Sequence, residues 1–154
     1  MKTRHAQRRP SLEMNRRRKT IVYTALVLTW LTGAAWLLLH YFFQRQGDFG
    51  SEPHPLEFWM LAMHGACAFA VLWLLGWIWT THIVPWWSGG RRRRASGVVL
   101  ISFAVVLIAS GYLLYYGSGD ALREWTGVIH WSIGLAAAIP VFVHALRSRR
   151  YRSA

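Results

Sequence analysis

Cysteine is almost missing from this chain, since Cys67 is the only one among 154 residues. A single cysteine excludes an intrachain disulfide, a zinc site built on paired cysteines, a cysteine-ligated iron–sulfur cluster and a C-x-x-C-H attachment motif. Because Cys67 lies inside an apolar run, we interpret it as a small buried residue.

Acidic residues are also scarce: six stand against 18 lysines and arginines, which leaves a formal charge of +12. A basic chain often binds nucleic acid. Here, however, the positive charges cluster at the ends of apolar runs, a pattern typical of membrane orientation. The charge pattern therefore argues against a nucleic-acid partner.

Apolar residues, 54% of the chain, fall in four long runs that carry almost no charge. Such runs predict transmembrane helices rather than a soluble core. The predicted fold class is an all-α membrane protein, a four-transmembrane-helix bundle surrounded by lipid. We expect a disordered basic arm at residues 1–19, a transmembrane domain at 20–147 with spans at about 21–43, 56–84, 95–116 and 122–146, and a basic tail at 148–154.

The distribution of lysine and arginine predicts the orientation of the four spans. Sixteen of the 18 lie before Ile21, in the run Arg91 to Arg94, or after Leu146, whereas five of the six acidic residues lie in the other two loops. Because positive loops stay in the cytoplasm, we expect both termini to be cytoplasmic, in the inner membrane of a bacterium.

The last span carries two histidines, His130 and His144, separated by fourteen residues. That spacing is roughly 21 Å of helical rise and leaves both rings within about 40° of one helix face. Gly134 and Ala137 lie on the same face, so a flat group has room near the backbone. An ionisable residue inside a membrane span is a functional hypothesis by default. We interpret the two as axial ligands of two stacked porphyrins.

The second span offers a partner for each of these histidines. His64 and His130 each lie about eight residues into their predicted spans, which run in the same direction, so they should meet at equal depth. His82 and His144 form the other pair, with an offset near 6 Å. A spacing of eighteen residues from His64 makes five helical turns, which predicts that His82 lies on the same face. A bend at Pro140 could absorb the offset.

Paired histidines at separate depths favour haem over zinc or copper, because those metals normally gather three or four ligands at one depth. One or two haem b groups are the expected cofactors, held by His64, His130, His82 and His144. Two axial imidazoles leave no open iron position, which fits electron transfer rather than oxygen chemistry. Arg91 to Arg94, or Arg147, could pair with haem propionates.

Three local sequences carry a family resemblance: MHGACA around His64, SGYLLYYG at the close of the third span, and H-W-x-x-G from His130 with a further histidine at His144. Residues from Glu57 to Arg150 resemble the small four-helix membrane cytochromes b, which include cytochrome b561-like proteins and the cytochrome b subunits of hydrogenases and formate dehydrogenases. The resemblance implies that His64, His130 and His144 hold haem b and that electrons pass to or from a quinone or a partner redox protein. The longer spacing before His82 departs from the family pattern.

We therefore expect an electron-transfer subunit rather than a stand-alone catalyst, with a periplasmic or cytoplasmic redox protein as its partner. Two alternatives remain open. One is a haem-free membrane scaffold or assembly protein whose histidines serve helix packing. The other is a metal or proton transporter, against which the lack of intramembrane carboxylates counts, since Glu57 lies at a span edge. His40, near the end of the first span, is expected to be an interfacial polar residue or part of a haem edge or quinol site.

Overall fold

The computed structural model describes residues 14–48, 50–85 and 94–150, and 86% of these residues are helical. Within those residues, four helical segments are long and apolar enough to cross a membrane: Arg16–Phe42, Pro55–Ile83, Ala95–Tyr116 and Asp120–Arg147. The four long apolar helices predicted from the apolar runs are confirmed, and their placement in a membrane stays a prediction. The residues 1–13 of the predicted arm and the run Arg91 to Arg93 lie outside the described residues, as does the tail from residue 151.

The helices are α1 (Arg16–Phe42), α2 (Pro55–Ile78), α3 (Arg94–Tyr116), α4 (Asp120–Ala136) and α5 (Ala138–Arg150). A π-helical turn, Trp79–Ile83, continues α2. The start of α1 corrects the predicted boundary near Ile21, because Arg16 to Lys19 are helical rather than part of a disordered arm. Lysine and arginine are good helix formers, and the Lys19 amide donates to the Asn15 carbonyl at 3.1 Å to close the first turn.

The loop between α1 and α2 contains structure that the sequence did not predict. Strands β1 (Arg45–Gly47) and β2 (Gly50–Glu52) pair antiparallel, with Arg45 opposite Glu52. The turn between them uses Gly50 at φ 123°, a conformation that favours glycine. Next, Pro55 takes the first position of α2 while Nδ1 of His54 accepts from the Leu56 amide at 3.2 Å, so the helix start is capped.

The last span is interrupted at Ala137, between α4 and α5. Pro140 has no amide hydrogen, so the carbonyl of Ala136 loses the donor that an unbroken helix would supply. The flanking bonds persist, from the Ala137 amide to the Ile133 carbonyl at 2.9 Å and from the Val141 amide to the Ala137 carbonyl at 3.3 Å. The interruption lies where Pro140 was expected to bend the helix.

The bundle consists of two helical hairpins. α1 packs most extensively on α2, α3 packs on α4 and α5, and α1 also contacts α4. There Nε1 of Trp30 donates to the Leu135 carbonyl at 3.3 Å. This packing brings the connections at residues 43–54 and 117–119 to one end, which we call the loop end. The opposite end, with Arg16 and Arg147, is the terminal end.

Few side chains fill the interior of this bundle. Among the described residues, only Leu74, Ser110 and Thr126 are buried. Large apolar side chains instead cover the outside; for example, Phe69, Trp73 and Tyr115 are 75%, 72% and 80% exposed. An apolar exterior around an interior with small polar residues is compatible with an integral membrane protein.

Candidate functional site

The rings of His64 and His130 face each other across the bundle. Their centroids are 6.2 Å apart and their planes are perpendicular, at 90°. His64 lies nine residues after the start of α2 and His130 ten residues after the start of α4, which places both at a similar distance from the loop end. The predicted meeting of these two residues is thus confirmed by a ring contact, while their role as ligands stays a prediction.

Helix α1 holds the ring of His64 through a backbone carbonyl. Nδ1 of His64 lies 2.9 Å from the carbonyl oxygen of Thr29 and 3.4 Å from Oγ1 of Thr32. The Thr32 hydroxyl donates to the carbonyls of Leu28 at 2.8 Å and Thr29 at 3.0 Å, so its hydrogen points back into α1. Because a carbonyl oxygen can only accept, the hydrogen of the His64 ring must be on Nδ1.

Gly33 allows the ring of His64 to approach α1 this closely. A β-carbon at position 33 would lie 2.9 Å from Cε1 and 3.0 Å from Nδ1 of His64, distances that real β-carbons do not adopt. Any larger residue would therefore displace the imidazole from the Thr29 carbonyl. Glycine at this position serves a close approach rather than a turn.

Helix α3 holds the ring of His130 in a matching way. Nδ1 of His130 lies 2.8 Å from Oγ of Ser110, which is only 6% exposed. The same hydroxyl donates to the Val106 carbonyl at 2.7 Å, so its lone pairs are left to accept. The hydrogen of His130 is therefore also assigned to Nδ1. At Gly111, next in sequence, a β-carbon would make an ordinary van der Waals contact with Cε1 of His130 at 3.5 Å, so this approach does not require glycine.

These contacts fit the ligation of one metal centre by two imidazoles. With both Nδ1 atoms bonded, Nε2 is left as the coordinating nitrogen, and neither Nε2 is hydrogen-bonded to any described residue. Ligating histidines usually donate their other N–H to a carbonyl or a similar acceptor. Two imidazoles on opposite sides of one ion have centroids roughly 6.3 Å apart, because each metal–nitrogen bond is about 2.0 Å. The observed 6.2 Å agrees with that separation.

The donor set also bears on which metal group fits. No cluster of three or more histidine, cysteine, aspartate or glutamate side chains suited to a metal ion occurs in the described part of the chain. A bare zinc or copper ion usually takes three or four protein ligands. Haem needs only one residue from each of two facing helices, because the porphyrin supplies four nitrogens. The pair His64 and His130 therefore fits haem iron.

The second predicted pair, His82 and His144, is not brought together in the same way. Nδ1 of His144 lies 3.2 Å from Oγ of Ser96, and no ring contact joins it to His82 within the residues described. The expectation that His82 shares a face with His64 assumed α-helix throughout. That assumption does not hold, because His82 lies in the π-helical turn Trp79–Ile83, where each turn contains more residues than in an α-helix. The role of His82 as a ligand stays a prediction.

His40 and Glu57 form a contact that the sequence did not reveal. Nδ1 of His40 lies 2.7 Å from Oε1 of Glu57, joining α1 to α2 at the loop end. Glu57 is 14% exposed and His40 41%. The His40 ring also stacks on Trp36, with centroids 4.8 Å apart. His40 is interfacial, as expected, but its partner is the carboxylate that was taken to lie at a span edge.

The sequence analysis did not identify the residues that contact the histidine rings from α1 and α3, which are Thr29, Thr32, Gly33 and Ser110. It named Gly134 and Ala137, on the same span as His130. A β-carbon on Gly134 would meet only Leu107, at 3.7 Å. Hydroxyl residues inside apolar spans, at the depths of His64 and His130, were the available signal.

Of the cations predicted to pair with haem propionates, Arg147 belongs to the terminal end. Arg147 is exposed there. The side chains of the predicted propionate partners Arg91 to Arg94 lie outside what the structure describes. Arg18, also at this end, lies over the ring of Trp77 at 5.0 Å and thereby joins α1 to α2.

Comparison of the chain with protein-family models, with curated proteins and with solved structures found no match.

Proposed function

We propose that this chain is an integral-membrane b-type cytochrome that relays electrons through one or two haems, each held between two histidines. His64 and His130 are the ligands of the first haem, and His82 and His144 those of the second. One observation carries the proposal: two perpendicular imidazoles face each other at 6.2 Å, each with Nδ1 already hydrogen-bonded to a neighbouring helix.

The protein's own part in this function is to hold and orient the ligands. The Thr29 carbonyl and the Ser110 hydroxyl keep the imidazole hydrogens on Nδ1, which leaves Nε2 of His64 and His130 free to coordinate. Gly33 gives the His64 ring room beside α1. A bound haem b supplies a reversible one-electron couple. His64 and His130 would together hold the haem, which would then supply electron transfer rather than oxygen chemistry.

We place the chain in the inner membrane of a bacterium, with both termini in the cytoplasm. The support is the concentration of lysine and arginine at the terminal end and of acidic residues at the loop end. The first haem then lies toward the periplasm. Within the described residues, only four spans and short connections occur, so we infer an electron-transfer subunit. It exchanges electrons between a quinone pool and a periplasmic or cytoplasmic redox protein.

The test is a haem assay on the purified full-length chain. The pyridine haemochrome spectrum and the dithionite-reduced minus oxidised spectrum should identify haem b with one or two haems per chain. His64→Ala and His130→Ala should each remove the first haem. His54→Asn is the matched control, because asparagine preserves an N-cap side chain at a histidine outside the site. A colourless wild-type protein, or His64→Ala with full haem content, would show that the proposal is wrong.

A haem-free scaffold is the second candidate, favoured by one feature of the same geometry. Centroids 6.2 Å apart at 90° also lie within the range of a direct edge-to-face ring pair, about 4.5–7 Å. On this hypothesis the histidines join α2 to α4. His64→Phe should then preserve the fold and the complexes with partner proteins. The purified wild-type protein would have no Soret band.

A further inference from the structure

Helix α3 presents two serines at the same spacing as the histidines they contact. Ser96 and Ser110 are fourteen residues apart on α3, and His130 and His144 are fourteen residues apart on α4 and α5. The chain directions are opposite, so Ser110 meets His130 at 2.8 Å while Ser96 meets His144 at 3.2 Å. In both contacts the serine Oγ approaches Nδ1 of the ring. Fourteen residues are about four helical turns, so one stripe of α3 serves both histidines.

The hydrogen bond that a serine usually makes within an apolar helix does not explain why the two serines and the two histidines share the same spacing. A serine inside an apolar helix usually bonds back to a carbonyl one turn earlier, as Ser110 does with Val106 at 2.7 Å. That bond satisfies the hydroxyl hydrogen but requires no histidine nearby. In addition, Ser110 is buried, with 6% exposure, and its Oγ lies 2.8 Å from Nδ1 of His130. The hydroxyl therefore acts as an acceptor aimed at the imidazole.

We propose that Ser110 and Ser96 are positioning residues, each of which holds the Nδ1 hydrogen of one histidine so that Nε2 is the nitrogen able to bind iron. This inference rests on the proposed function and extends it, because it assigns to α3 the same role at both haems. A histidine with the opposite tautomer would present an N–H to the metal and could not coordinate. The serines thus select the tautomer that a ligand needs.

The role of Ser110 can be tested without any haem. Full-length protein carrying ¹⁵N-labelled histidine is placed in lipid nanodiscs, and the ring nitrogen shifts of His130 and His144 report which nitrogen carries the hydrogen. We expect the Nδ1–H tautomer for both. Ser110→Ala should add the Nε2–H tautomer at His130 alone, and Ser96→Ala should do so at His144 alone. Ser110→Thr, which preserves the hydroxyl, should restore the wild-type shifts. Ser102→Ala, at an exposed position of the same helix, is the matched control.

Haem-loaded protein provides the second readout. Loss of a partner of a ligating histidine typically weakens binding about ten- to a hundredfold, so Ser110→Ala should raise the haem dissociation constant by that factor. It should also raise the midpoint potential of the first haem, because an imidazole without this hydrogen bond is a poorer electron donor. Ser96→Ala should affect only the second haem.

The outcomes separate this inference from the proposed function. A wild-type His130 in the Nε2–H form, or shifts unchanged by Ser110→Ala, would overturn the role of the serines even if haem binds. If the wild type binds no haem but the tautomers follow the serines, the proposed cytochrome function falls while the hydrogen-bonding role stands. A lower melting temperature of Ser110→Ala with unchanged shifts would show that the serine serves only helix packing.

Discussion

The imidazole of His64 lies directly against Gly33 of α1, where an added β-carbon would come within 2.9 Å of Cε1. A side chain at position 33 could fit only if the His64 ring moved away from the Thr29 carbonyl that holds it. Through this contact α1, which holds no proposed ligand, determines the position of one.

Gly33→Ala should reduce haem content at the first site. The new methyl group displaces the His64 ring and breaks its 2.9 Å bond to the Thr29 carbonyl, at a cost of about 1–3 kcal/mol for overpacking. Binding should weaken by about ten- to a hundredfold, measured by haem titration. Gly76→Ala is the control, since a β-carbon there meets nothing within 4 Å and both changes improve helix propensity equally. Equal haem affinity in the two variants would contradict the prediction.

The second haem can be counted independently of the first. If His82 and His144 share a haem, His82→Ala and His144→Ala should each lower the content from two haems per chain to one, because neither imidazole can hold the iron alone. The pyridine haemochrome assay with protein quantified by amino-acid analysis measures this. His54→Asn should leave two. A content of one haem in the wild type and in both variants would remove His82 and His144 as ligands.

His40→Ala should destabilise the α1–α2 hairpin. The change removes the 2.7 Å partner of Glu57, a mostly buried carboxylate, and an unsatisfied group of this kind costs about 1–3 kcal/mol. Unfolding by sodium dodecyl sulfate, followed by circular dichroism, gives the free energy. Ser51→Ala, which removes an exposed hydrogen bond in the same connection, should change it by less than about 0.5 kcal/mol. Equal effects of the two substitutions would argue against the importance of the pair.

The orientation can be tested with single cysteines in a Cys67→Ala background. Ser118→Cys, in the α3–α4 connection, should react with a membrane-impermeant maleimide added to intact cells whose outer membrane is permeable. Arg147→Cys should react only after the inner membrane is opened, because the positive end of the bundle stays in the cytoplasm. The reverse labelling pattern would invert the topology and place the first haem on the cytoplasmic side.

The sequence alone predicted the four spans and the meeting of His64 with His130, but not the elements around them. Hydropathy determines which segments form apolar helices, and the rise per residue determines how far along its helix each histidine lies. Both properties can therefore be predicted from a short stretch of sequence. The π-helical turn at Trp79–Ile83 gave no such signal, so the α-helical spacing from which the face of His82 was calculated does not apply there. The β1–β2 hairpin and the bond between His40 and Glu57 likewise depend on how α1 and α2 are brought together.

What the amino-acid sequence determined is the number of apolar spans, the placement of charge at their ends and the depth of each histidine. What only the tertiary structure decided is the group that accepts each ring hydrogen: a carbonyl of Thr29 for His64, and the hydroxyl of Ser110 for His130. The reason is geometric. Depth follows from residue number along one helix, whereas a hydrogen-bond partner depends on how neighbouring helices are rotated about their own axes, and packing between helices sets that rotation.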